Sequence, residues 1–95
     1  MSIFSFTFVV NFNNLLIQWG TVLVNYNNTN TVVTMPVGYT TTYHTVCELG
    51  NAPGSGVAQH SINREYNTET QFNIWGDYSS DRIINVPTSW VSIGF

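Results

Sequence analysis

Lysine is absent from this 95-residue chain, and Arg64 and Arg82 are its only cations, so just 7% of the residues are charged and the formal charge is −3. A phosphate backbone or an anionic bilayer needs a basic stripe to bind, and none exists here, so nucleic acid and membrane surfaces are poor partners. Cys47 stands alone. It excludes an intrachain disulfide and leaves the redox compartment open. No apolar run is long enough to span a bilayer. The opening MSIFSFTFVVNF lacks the basic start and small-residue cleavage site of a signal peptide. Helical periodicity with caps is missing throughout, so no helix longer than a turn is predicted.

What remains is a period of two, carried by apolar and β-branched residues. Phe4, Phe6, Phe8, Val10 and Phe12 share one parity against Ser5, Thr7, Val9 and Asn11, the pattern of a strand with one buried face. Asn11 to Asn14 reads as a turn. Residues 15–24 form one long strand or two short ones pivoting at Gly20, because glycine inside a strand pattern often marks a bulge or close backbone approach. Residues 25–30, NYNNTN, read as a hairpin loop of turn-forming side chains. Further strands fall at 31–35, ended by Pro36, and at 43–49, 57–63, 71–75 and 82–86. Loops are expected at 51–56 and 76–81, with a polar connection at 64–70. Beyond Pro87, Ser89 to Phe95 forms an apolar last strand, which implies that this end is stitched into a sheet with its aromatic residues locked inside.

Seven or eight short strands in one domain predict a small antiparallel β-sandwich. The strand over residues 1–12 reads as a possible accessory arm to a core at 13–95. Apolar residues on both parities, such as Phe8 and Val9 or Leu15 and Leu16, suggest two covered faces, one the core and the other a subunit contact. A domain this small buries only about 60–65% of its unfolded surface, so burial against sister copies would add stability.

Catalytic and metal signatures are missing. His44 and Cys47 lie three apart on a strand and point to opposite faces, and His44 lies about 13 Å along the strand from Glu48. Glu48, Glu65, Glu69, Asp77 and Asp81 are scattered among loops, and no nucleophile sits in a strained turn. The expectation is a protein that is not an enzyme and holds no metal or cofactor. Sugar binding fits better, since it uses aromatic platforms and neutral or acidic hydrogen-bonding groups. Candidates are Tyr39 and Tyr43 flanking the Thr40–Thr42 run, His60, and the Trp75, Asp77, Tyr78 and Arg82 group. For Trp75 and Tyr78, packing in the core or at a subunit interface competes with a ligand role. Trp19 and Trp90 are assigned to structure because both lie inside strands.

Four segments occur in a telling order: Ile17-Gln18-Trp19-Gly20, then Val33-Thr34-Met35-Pro36-Val37-Gly38-Tyr39, then Gln71-Phe72-Asn73-Ile74, then Trp90-Val91-Ser92-Ile93-Gly94-Phe95. Their combination over residues 14–95 resembles the gp53-like domain at the distal end of bacteriophage and prophage tail fibres. Met35 replaces the usual aromatic of that pattern. The resemblance implies a homotrimeric β-sandwich in the virion, acting outside the host in attachment to a bacterial surface, with a glycan or other surface receptor and a fibre shaft as partners. A purely structural trimerisation cap and a free-standing sugar-binding lectin are the alternatives. A looser likeness is to the H-type lectins, trimeric β-sandwiches that bind sugars.

Overall fold

Asn13 and Asn14 have φ of 48° and 68°, a left-handed pair that asparagine tolerates and that closes a two-residue hairpin. The hairpin joins β1, Phe6–Phe12, to β2, Leu15–Asn25. The structure, a computed structural model, describes residues 6–49, 58–63, 67–78 and 85–95. Five more strands follow: β3 Thr29–Thr34, β4 Tyr43–Leu49, β5 Ala58–Asn63, β6 Gln71–Tyr78 and β7 Asn85–Gly94. They form two antiparallel sheets, a four-stranded one ordered β1-β2-β7-β4 and a three-stranded one ordered β3-β6-β5. The predicted all-β sandwich is therefore what the chain forms.

Between the sheets lie Leu16, Val22, Val24, Tyr26, Val33, Met35, Tyr39, Phe72, Ile74, Val86 and Trp90, all buried. Alternation along β7 is complete, with Val86, Thr88, Trp90, Ser92 and Gly94 buried and every residue between them exposed. Trp90 meets Phe72 edge to face at 5.3 Å, joining the sheets at the middle of the core.

Several boundaries narrow the sequence reading or differ from it. β2 takes the one-strand alternative and runs unbroken through Gly20, which pairs with Trp90 on the inner face. Residues 25–30 do not close a hairpin, because β2 and β3 belong to different sheets. The chain crosses between layers there, with Tyr26 only 1% exposed and its hydroxyl 3.2 Å from the Thr88 hydroxyl. β6 continues through Gly76 instead of turning, and the missing side chain makes room for Tyr26, whose Cδ2 a Cβ there would meet at 3.0 Å. Pro87 lies within β7, one residue past the last described β4 pair, Leu49 with Thr88. The loop expected at 51–56, residues 79–81 of the one expected at 76–81, the segments 1–5 and 82–84, and Arg64 lie outside the described residues.

Candidate functional site

Two surfaces stand out, a polar groove at one pole and an apolar sheet face. The pole collects the β1–β2 turn, residues 35–42, residues 67–70 and Phe95. It is held by a buried glutamine. Gln18 lies on the inner parity of β2 with Leu16 and Val22, and its Nε2 donates to the Val37 carbonyl at 2.8 Å while its Oε1 accepts from the Val37 amide at 3.1 Å. Backbone bonds complete the frame: Met35 N to Thr70 O at 2.7 Å and Tyr39 N to Glu69 O at 2.9 Å. The amides of Thr40 and Thr41 both donate to the Phe95 carbonyl, at 3.0 and 2.8 Å, and the Phe95 amide donates to Thr42 O at 3.0 Å. This is the stitching foreseen for the last strand. The Phe95 ring itself is 54% exposed, so the backbone is locked and the aromatic side chain is not.

Within this frame Tyr39 and Tyr43 stack at 4.6 Å and 18°. Tyr39 is buried and its hydroxyl donates to Leu16 O at 3.2 Å. Burial raises its pKa, opposed by Gln18, so the phenol stays a donor at neutral pH. The half-buried Tyr43 shares its hydroxyl between Thr68 O at 2.8 Å and Gln71 O at 2.9 Å. The two tyrosines, Thr40–Thr42 and residues 67–69 line an open groove of about 370 Å³.

The other predicted site residues lie elsewhere. His60 faces the inside of the smaller sheet, its Nε2 3.2 Å from the Cys47 carbonyl, and so bridges the layers. Trp75 and Asp77 occupy the outer face of β6, where the Trp75 indole donates to Asn28 Oδ1 at 3.2 Å. The Tyr78 side chain and Arg82 lie outside the described residues. Sequence reasoning therefore placed Tyr39 and Tyr43 in one cluster with the Thr run, but it missed Asn67, Thr68 and Glu69. Those three come from a segment read as a plain connection, and no local pattern announces that it folds back onto residues 39–43. Gln18 was legible in principle, as a polar residue on an otherwise buried parity.

The apolar surface is the outer face of the four-stranded sheet. Phe8 pairs with Trp19, Val10 with Ile17, Ile17 with Ile93, Trp19 with Val91 and Val91 with Val46, so these side chains share one face across all four strands. Phe8 is 46% exposed, Val46 65% and Ile93 43%, and Phe8 stacks on Trp19 at 5.4 Å. The parity of Phe8, Val10 and Phe12 was read as a buried face. Among the described residues β3, β6 and β5 pack on the other side, and Phe8, Val10 and Phe12 are each at least 45% exposed. Val9, on the inner parity of the edge strand β1, is 39% exposed as well.

Among the described residues, no three of His, Cys, Asp and Glu come together. His44 faces outward opposite Ile93 and Cys47 inward opposite Trp90, on opposite sides of the sheet as their spacing requires. Burial pushes the Cys47 thiol pKa up, the reverse of an activated nucleophile.

An antiparallel sandwich with seven strands among the described residues, apolar on one outer face and polar at one pole, is the class of domain these features define. The family model of the gp53-like tail fiber protein, C-terminal, matches residues 9–95, and the chain belongs to that family of bacteriophage tail-fibre domains. It is thus a virion component. Among solved structures, the chain is similar to an N-truncated R2-type pyocin tail fiber with a TM-score of 0.69 and 20% identity. That likeness covers 94% of this chain and 37% of the fibre chain. At this identity the likeness bears on fold alone. No curated protein matches the sequence.

Proposed function

We propose that this domain is the receptor-binding tip of a tail fibre, a homotrimer that attaches the virion to a glycan on the bacterial surface and does no catalysis. The observation that carries this reading is the outer face of the four-stranded sheet. Trp19, Val46, Val91 and Ile93 lie side by side and exposed, a contiguous apolar surface of the kind that marks contact with other protein chains. Sister copies packed on that face would leave the loop pole free. Three weak sugar contacts then act as one strong one, because the second and third binding events are intramolecular.

Sedimentation of the purified domain should give a trimer. Val91→Asp, on the exposed parity of a central strand, should dissociate it while far-ultraviolet circular dichroism keeps its β signature. The same domain should block phage adsorption to host cells in a dose-dependent way. A wild-type monomer would remove the basis for the assembly. A trimer that leaves adsorption untouched would favour a purely structural cap.

A further inference from the structure

We infer that the groove between Tyr39–Tyr43 and residues 67–69 is a subsite for one uncharged sugar ring and discriminates against acidic sugars. This rests on the attachment reading above. The topology supplies the orientation. β1 runs from Phe6, opposite Thr21, to Phe12, opposite Leu15, and Leu16 in turn faces Gly94. The chain therefore advances toward the groove pole along its first strand, and a shaft preceding β1 would present that pole outward.

The groove has the construction of a binding site and not of a loop gap. At about 370 Å³ it falls within the range of small-ligand pockets. Its walls are fixed by bonds already described, from Tyr39 N to Glu69 O and from the Thr40 and Thr41 amides to Phe95 O. Thr68 Oγ1 accepts the Gln71 amide at 3.0 Å, and Asn67 Oδ1 accepts the Asn73 amide at 3.3 Å, so those side chains hold the rim. The hydroxyls of Thr40, Thr41 and Thr42 and the carboxylate of Glu69 are exposed and make no hydrogen bond among the described residues. Three hydroxyls that donate or accept, beside a carboxylate that only accepts, match the vicinal hydroxyl groups of a pyranose.

Charge sets the selectivity. Glu69 is the only carboxylate in the lining, and no cation lines the groove among the described residues. A uronate or phosphorylated sugar would place its anion against Glu69 with no cation among the described residues to compensate it, whereas a neutral ring donates its hydroxyls to the same carboxylate.

The test is backbone amide NMR of the purified domain, titrated with neutral hexoses, deoxyhexoses and N-acetylhexosamines and, separately, with galacturonate and glucuronate. At least one neutral sugar should shift the amides of Thr40–Thr42 and Glu69, and each uronate should bind about tenfold more weakly than the neutral sugar of the same ring. Glu69→Gln should close that gap without moving the thermal midpoint. Uronates that bind as tightly as their neutral counterparts, shifts that map to another surface, or no response to any sugar would each overturn the inference. Adsorption blocking separates the two levels. A domain that blocks adsorption but fails these titrations refutes the groove and leaves attachment standing, whereas one that does neither refutes both.

Discussion

The side-chain amide of Gln18 and the backbone of Val37 face each other as two strand residues would, exchanging bonds of 2.8 and 3.1 Å. Gln18 is fully buried, and its Nε2 also lies 3.8 Å from the Met35 sulfur, so one side chain ties the middle of β2 to the chain on both sides of Pro36. The Ile-Gln-Trp-Gly and Val-Thr-Met-Pro segments are thus two halves of one contact.

Gln18→Leu keeps the volume but leaves the Val37 amide and carbonyl without partners. The expected loss is about 2 kcal/mol, since an unsatisfied buried polar group costs about 1–3 kcal/mol. Denaturant unfolding measures it, and a change below about 0.5 kcal/mol would mean that water replaces the amide at no cost.

Gly94→Ala should be far worse than Gly38→Ala. A Cβ at Gly94 would collide with the Thr42 carbonyl oxygen and stand 2.6 Å from Tyr43 Cα, both backbone, whereas the nearest neighbour of one at Gly38 is the Thr70 methyl at 3.1 Å. The first requires the Phe95 staple to part, for a loss of about 3 kcal/mol or more. The second costs about 1 kcal/mol or less. Thermal midpoints of the two variants decide the order, and equal midpoints would contradict the packing around Gly94.

Legibility of the fold follows from how local its causes are. The alternation of Ser89 to Phe95 and the turn at Asn13 and Asn14 were readable because each acts within its own strand or turn, whereas Pro87 was read as a break and β7 runs through it. Gly76 misled, since it looks like a break until Tyr26, the aromatic beside it, is brought in from the chain between β2 and β3. Period two identifies a strand's two faces but not which one meets the second sheet. That is why the Phe8 parity was read as buried although it lies open. Of the candidate site, only Tyr39 and Tyr43 were close enough in sequence to be grouped; residues 67–69 reach them through bonds spanning some thirty positions.

Tyr43 has a structural share in the groove, and its variants should separate the contributions. Tyr43→Phe removes the hydroxyl bonded to Thr68 O and Gln71 O and should cost about 1 kcal/mol. Tyr43→Ala also removes the ring stacked on Tyr39 and should cost about 3 kcal/mol, within the range for buried aromatic truncation. Calorimetry of both variants is the check. An alanine variant with an unchanged melting temperature would make Tyr43 a surface platform only, free of any part in packing.

Stability should fall on the alkaline side. Cys47, Tyr26 and Tyr39 all have pKa values raised in the folded chain, chiefly by burial. An unfolded chain gives up these protons near the ordinary values of 9.0 for the thiol and 10.0 for the phenols, while the folded chain holds them longer. In that window the folded state binds more protons than the unfolded state, so unfolding free energy decreases with pH. The contribution is fully present below about pH 8.5 and is lost as pH climbs through the folded-state values. Equilibrium unfolding measured from neutral pH upward should show the decline begin with the thiol and steepen past the phenol range. Tyrosinate absorbance should rise together with the loss of β structure. Tyr26→Phe should be less stable than the parent at neutral pH, having lost the Thr88 hydroxyl contact, and the difference should shrink above about pH 10, where the parent alone carries the ionisation penalty at residue 26. Tyrosines that all titrate at their ordinary values while the sheets stay intact would show that Tyr26 and Tyr39 are not sealed between the layers.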